Sequence, residues 1–324
     1  MSKGTESLAI PSLWRIPGKV VLMNLAGDNE LTMTNVRAEK VREVARLATR
    51  TGRARSGEFL AEGPQAVREA LRLHLENAEH GRAEVVRAVY ATEDCLDKHP
   101  ELEVMSNKAE RVHTRLVNQE VLAAMADTVT PQGIVAVCVI PETSLQDVAD
   151  TKPRLVAVLT RVQDPGNAGT IIRAADAAGA DAVVLTSGSV DIYNPKAVRS
   201  TVGSIFHLPI ITNADFGATM AAFKGQGSTI LAADGYGAAD LDALQDASAA
   251  RRAGSTEPAP EGQPVLEEPT VWIFGNEGQG LDETELAGTD HRVAVPLYGI
   301  AESLNVGTAA TMCLYASARA QRRG

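Results

Sequence analysis

From residue 155 onward, short apolar runs alternate with stretches whose apolar positions recur every three or four residues. The runs Leu155–Leu159, Asp181–Leu185, Thr229–Ala233, Val271–Phe274 and His291–Val295 predict strands. The periodic stretches Ala168–Ala178, Pro195–Val202, Phe216–Phe223, Glu283–Leu286 and Leu304–Arg322 predict helices. This alternation predicts an α/β fold with a parallel sheet covered on both faces. Upstream, Asn35 is placed to cap a helix with Val41, Val44, Leu47 and Ala48 on one stripe. A strand at Phe59–Ala61 follows, then a helix with Pro64 in its first turn and Val67, Leu71 and Leu75 facing inward. Val85–Tyr90 and Gly133–Ile140 read as buried strands, with a helix near Asn118–Ala126 between them. Residues 34–140 thus predict a small α/β domain, and 154–324 a larger one. The polar segment 141–153, with turn residues at both ends, is the expected linker. Residues 247–268, rich in Ala, Pro, Glu and Gly, predict a disordered surface insertion. Residues 1–33 have no clear period and predict a poorly ordered tail; Met33, where the pattern becomes regular, is an alternative start to Met1.

Composition changes this picture little. A chain of 324 residues that is 44% hydrophobic and 22% charged is an ordinary globular protein. No apolar run approaches membrane-spanning length and no secretory signal is visible, so a cytoplasmic protein is expected. Cys95, Cys138 and Cys313 are far apart in apolar or helical surroundings, which predicts buried free thiols and no metal site. The net charge of −10 argues mildly against a nucleic-acid partner, but its distribution matters more. Arg37, Lys40, Arg42, Arg46, Arg50, Arg53 and Arg55 crowd one short stretch, whereas 234–268 is strongly acidic. RNA therefore stays open as a partner.

Candidate chemistry gathers where predicted strands end. Trp272–Phe274 breaks into Gly275-Asn276-Glu277-Gly278-Gln279-Gly280, a backbone free to turn tightly and approach a ligand. After Val295, Pro296 and Gly299 lead to Ser303, a suitable N-cap, and then to an alanine-rich helix. After Leu155–Leu159, Asp164-Pro165-Gly166 forms a turn and Asn167 is placed to cap the helix that carries Arg173. Loops at the carboxyl ends of parallel strands form the crevice in which open α/β sheets bind ligands. Arg173 suits a bidentate grip on phosphate, or simply a local pair with Asp176. Lys196 and Arg199 share one face of a helix start, which suits phosphate contact or a solvated surface. There is no GxGxxG loop after the first strand of the larger domain, no Walker lysine loop and no GxSxG elbow. An NAD-dependent oxidoreductase is therefore unsupported.

Taken in order, Asn167-x-Gly169-x-x-x-Arg173, Phe274-Gly275-Asn276-Glu277-Gly278-x-Gly280-Leu281 and Pro296-Leu297-x-Gly299-x-x-x-Ser303-Leu304-Asn305-Val306 resemble three signature motifs. They are those of the SpoU (TrmH-like) RNA 2′-O-ribose methyltransferases of the SPOUT superfamily. The intervening Tyr193-Asn194-Pro195-Lys196 and Val198-Arg199 are also similar to that family, and Phe59–Gly63 resembles, more loosely, a substrate-binding domain often joined to it. The resemblance implies a deep trefoil knot, S-adenosyl-L-methionine as cofactor, a homodimer and RNA as substrate, with ribosomal RNA ahead of transfer RNA. It puts the cofactor on the backbone around Gly275, Val295 and Leu304. It puts Asn167, Arg173, Glu277, Ser303 and Asn305 on catalytic or RNA-contacting positions, with Glu277 holding Arg173 or a dimer partner. Gly307 departs from the family, where serine is common. The basic residues Arg46, Arg50, Arg53, Arg55, Lys196 and Arg199 are the expected RNA contacts. The rival from another class is a non-catalytic RNA-binding or assembly factor on the same fold.

Overall fold

Runs of Val, Ile and Leu flanked by turn residues become strands because their branched side chains pack on a pleated surface buried on both sides. The computed structural model describes residues 32–255 and 262–322, so the expected tail lies outside the described residues apart from Thr32 and Met33. The chain runs α1 (Glu39–Arg46), α2 (Arg50–Ser56), β1 (Glu58–Glu62), α3 (Pro64–Glu79), β2 (Val86–Ala91), α4 (Glu93–Lys98) and α5 (Pro100–Lys108). It continues through β3 (His113–Leu116), α6 (Gln119–Met125) and β4 (Ile134–Val139). These strands form a four-stranded sheet in the order β1-β4-β2-β3. Only the β2–β3 pair is parallel. α1 and α6 cover one face through Val41, Val44, Val121 and Leu122, which pack on Leu60, Tyr90, Val135 and Val137.

Within 141–153, Ser144 caps a short helix, α7 (Leu145–Asp150), in place of an irregular linker. There follow β5 (Leu155–Leu159), α8 (Pro165–Ala178), β6 (Ala182–Thr186), α9 (Pro195–Thr201), a 3-10 turn at Ser204–Phe206, β7 (Ile210–Ala214) and α10 (Phe216–Gly225). The last elements are β8 (Thr229–Ala233), β9 (Ala239–Asp240), α11 (Leu241–Arg252), β10 (Thr270–Phe274), α12 (Glu283–Ala287), β11 (His291–Ala294) and α13 (Val306–Gln321). These strands form a seven-stranded sheet, in the order β7-β6-β5-β10-β8-β11-β9. Every pairing in it is parallel. β5 and β10 are its apolar centre, each buried at every position. One continuous core runs from Phe59, Val67 and Leu71 to Ile171, Ile172 and Trp272, and so joins the two sheets. Phe59 packs at a tilt on Tyr193, ring centroids 4.9 Å apart, and stacks on Phe206 at 5.9 Å across that boundary.

Several sequence expectations shift. α1 starts after Ala38, because the Asn35 side chain accepts from the Arg37 N–H at 2.9 Å and makes a turn of its own. Residues 247–252 are not loop but the last turns of α11. Arg251 then grips Glu267 at 3.0 and 2.9 Å, and Leu266 is fully buried; only 256–261 of that segment lie outside the described residues. No helix among the described residues is long and apolar enough to cross a membrane, and no acid, His and Cys cluster among them could hold a metal. The three cysteines are free and buried, and burial pushes the Cys138 and Cys313 thiols up.

Candidate active site

All strands of a parallel sheet end at one edge, so the loops after β5, β10 and β11 share that edge. β5 and β10 are direct neighbours, with Leu159 opposite Phe274. The loop after β10 closes on itself: Asn276 N–H donates to Gly280 O at 3.1 Å and Gly280 N–H to Asn276 O at 2.8 Å. The Asn276 side chain accepts from the N–H groups of Gly278 and Gln279 and donates to Arg161 O at 2.9 Å. Gly275 must be glycine here, because a Cβ would stand 2.5 Å from the Gly280 carbonyl carbon and 2.7 Å from Leu281 N. The closed loop presents Glu277, whose carboxylate accepts from Gln163 N–H at 3.2 Å, Asp164 N–H at 3.1 Å and Asn167 Nδ2 at 3.2 Å.

Asp164, rather than Asn167, caps α8 by accepting from the Asn167 N–H at 2.9 Å. The Asn167 carboxamide is thereby left for other work. Its Oδ1 accepts from Asn305 Nδ2 at 2.9 Å. Asn305, rather than Ser303, caps α13 through its Oδ1, which accepts from Gly307 N–H at 2.9 Å and Thr308 N–H at 3.3 Å. Glu277, Asn167 and Asn305 thus form one hydrogen-bonded line through all three loops. Gly307 lets α13 sit against α8, since a Cβ there would come within 2.9 Å of Thr170 Cγ2.

Burial pushes the Glu277 carboxyl up, but hydrogen bonds from its own backbone, Asn167, Asp164 and Gln163 outweigh this and hold it below the usual carboxylate range. Glu277 is therefore an anion that orders the loop after β5, and it makes no contact with Arg173. Arg173 is exposed, with no hydrogen-bond or ion-pair partner among the described residues; Asp176 binds His207 instead, at 2.8 Å. Ser303 is exposed and likewise unpartnered. Sequence reasoning missed Arg161, which anchors the site from below. Its backbone is left-handed at φ 55°, and its guanidinium holds Glu285 at 2.8 and 2.7 Å. Only the paired strand-end loops could have signalled this contact, because Glu285 is 124 residues away in sequence.

The expected RNA contacts divide into two groups. Arg46, Arg50 and Arg55 are exposed, and so is Lys196, 3.7 Å from Asp164 Oδ2. Arg53 is a correction: it is 4% exposed and donates to Leu47 O, Ala48 O and Asp191, the last at 2.6 Å. Its guanidinium ties α2 to the segment before α9 and is not available to a phosphate. Arg199 is half-buried and binds Glu62 at 3.1 Å and Asp127 at 3.0 Å, so it too joins the two sheets.

The family model of the SpoU rRNA methylase family matches residues 154–315. The chain belongs to this family. Residues 38–136 match an MRM3-like substrate binding domain. The chain is 34% identical, over 86% of its length and 95% of the relative's, to a protein of Bacillus subtilis named 23S rRNA (guanosine(2553)-2′-O)-methyltransferase RlmP. It is 30% identical, over 86% of its length and 89% of the relative's, to a 23S rRNA (uridine(2479)-2′-O)-methyltransferase of Streptomyces viridochromogenes. The crystal structure of the SpoU methyltransferase AviRb from that organism, in complex with AdoMet, superposes with a TM-score of 0.68 at 27% identity, covering 87% of this chain and 98% of that one.

The SpoU site of this chain suits S-adenosylmethionine. From Val295 to Leu304 no backbone hydrogen bond is made among the described residues, although Val295, Pro296 and Leu304 are half-buried. Those N–H and C=O groups are the donors and acceptors that an adenosine and an amino-acid moiety need. Level with Gly275, the buried Thr160 hydroxyl also has no hydrogen-bond partner.

Proposed function

We propose that this SpoU family member is an S-adenosylmethionine-dependent rRNA 2′-O-ribose methyltransferase whose reaction centre is the hydrogen-bonded line Glu277–Asn167–Asn305 with Arg173 beside it. That line is the observation that carries the reading, because it brings the three strand-end loops to one place. When bound, the cofactor supplies an electrophilic sulfonium methyl. The backbone around Gly275, Val295 and Leu304 holds it, and the Asn276-closed loop keeps Gly275 within reach. Arg173 has no partner among the described residues, so its guanidinium is free to grip the phosphate beside the target ribose and to stabilise charge developing on the 2′-oxygen. It does not act as a base, because a guanidinium keeps its proton in proteins. Ser303 orients the ribose, and Asn305 and Asn167 fix the loops between which it lies. Reaction by alignment suits such a site, since the methyl group is already activated.

The finer points belong to the same proposal. Residues 34–140 select the RNA, 141–153 connect, and 154–324 carry methyl transfer. The chain threads the trefoil knot of its family and works in the cytoplasm. It pairs with a second copy through α13, whose outward stripe includes the exposed Met312 and Tyr315. The test is to map 2′-O-methyl groups in total RNA with and without the gene. Loss of one methylated ribose in 23S rRNA is expected; an unchanged rRNA map, or loss confined to tRNA, would overturn the assignment.

A further inference from the structure

On the α1 side of the four-stranded sheet, α1 and α6 leave part of the face uncovered, and a groove of about 1170 Å³ opens there. Its helix wall carries Lys40, Arg46 and Arg55. Its strand wall carries Arg87 of β2, Arg115 of β3 and, from the turn before β3, Arg111. The acids lining it are Glu43, Glu58 and Glu84, so an acidic protein concentrates positive charge in one concave surface.

A β-bulge builds the strand wall. Val86 lies opposite Cys138 and Ala88 opposite Val137, which leaves Arg87 as the extra residue. Val86 and Val89 pack into the core on the α3 side, whereas Ala88 and Tyr90 face α1. The bulge therefore puts two consecutive residues, Arg87 and Ala88, on the groove side; regular alternation would send one of them into the core. Ala88 pairs with His113 and Tyr90 with Arg115, and this register brings Arg115 to the same face. Glu84 accepts from both Arg87 and Arg111, so two guanidiniums share one carboxylate. Their side chains remain 52% and 83% exposed.

We infer that this groove receives the phosphate backbones of a double-helical RNA stem flanking the target nucleotide. The charge calls for phosphates. Double helix is favoured over single strand because, among the described residues, His113 is the only exposed ring lining the groove, Tyr90 being 1% exposed, and unstacked bases need exposed rings to stack on. α2, whose Arg55 lines the groove, is tied through Arg53 to Asp191, and in the segment that follows Lys196 lies 3.7 Å from Asp164 beside Asn167. The inference rests on the RNA reading above and adds the form of RNA and the strand-wall arginines.

The test uses the full chain, a 20-base-pair RNA duplex and an oligouridine with the same number of phosphates, with binding followed by fluorescence anisotropy across a KCl series. Wild type should bind the duplex more tightly. Arg87→Ala with Arg111→Ala should weaken duplex binding about tenfold or more and lower the log–log salt slope by about two, each lost phosphate contact being worth roughly 0.9. Arg87→Lys with Arg111→Lys should restore most of the slope, and calorimetric affinity for S-adenosylmethionine should not change in either variant. An unchanged slope, an equal preference for oligouridine, or capture of an acidic protein with no RNA affinity would overturn the inference. Arg173→Ala separates the two proposals, because it should lower methyl transfer about 10²- to 10³-fold while the Arg87 and Arg111 substitutions still lower the duplex salt slope by the same amount in its background. A wild-type chain that binds the duplex through Arg87 and Arg111 yet transfers no methyl would sink the enzyme reading alone.

Discussion

Asn305 does two jobs with one carboxamide: its oxygen caps α13 and its nitrogen reaches Asn167. Asn305→Asp keeps the cap and removes the donor, so stability should stay within about 0.5 kcal/mol. Turnover should nevertheless fall about 10- to 100-fold, because the loops lose their register. Equal losses of stability and turnover would show that the residue is only a cap. Arg173 is the complementary case, since it is exposed and makes no hydrogen bond or ion pair among the described residues. Arg173→Ala should melt like wild type and lose about 10²- to 10³-fold in kcat, the usual scale for removing a transition-state donor. Arg173→Lys keeping near-full turnover would contradict the bidentate grip. Both residues were legible in the sequence from the motif pattern. Their partners were not: Asn167 and Ser303 looked like caps because cap preference is local, and Asp164 and Asn305 won those positions through geometry that appears only when the helices are placed.

At the scale of elements, the central strands were read almost to the residue because both faces are apolar, as with Leu155–Leu159. The elements with no clear signal in the sequence lie at the margins. β3, His113–Leu116, is an edge strand with no fully buried residue, and β7 carries the exposed polar pair Thr212-Asn213 before its last residue, Ala214. α4 and α5 carry mostly polar residues with little periodicity. The loop 275–280 was legible as glycine-rich, but its self-closure through Asn276 was not. Gly275→Ala tests that closure. The added methyl meets backbone rather than a side chain that could swing away, so the substitution should cost roughly 1–3 kcal/mol and should weaken S-adenosylmethionine binding more than RNA binding. Calorimetry with the cofactor reads this directly, and wild-type affinity would show that the loop has room to move.

At the scale of the molecule, the two sheets are joined by partly buried polar contacts that no local pattern reveals. Arg53 binds Asp191, Arg199 binds Glu62 and Asp127, and His207 bridges Asp176 and Glu69. Arg53→Ala leaves the buried Leu47 carbonyl and the partly exposed Asp191 carboxylate unpaired and should cost about 1–3 kcal/mol in denaturant unfolding, a cost below about 0.5 kcal/mol meaning that the tie is dispensable. Burial lowers the proton affinity of His207, but Asp176 and Glu69 outweigh it and raise the group above its ordinary value. A raised folded-state value means stabilisation fully present below the ordinary histidine range and lost as pH rises through the folded-state value. The stability difference between wild type and His207→Gln should therefore shrink as pH increases, and a difference independent of pH would remove the ion bridge from the account. Of the expected RNA contacts Arg46, Arg50, Arg53 and Arg55, folding leaves three exposed and turns Arg53 inward. The central claim, that three strand-end loops form one 2′-O-methylating centre, is tested most directly by methyl transfer in vitro. Purified protein, S-adenosylmethionine and unmodified 23S rRNA are incubated, and the digested nucleosides are identified by mass spectrometry. The expected result is a single 2′-O-methylated nucleoside that disappears with Arg173→Ala; a methyl group on a base, or transfer undiminished in that variant, would contradict the account.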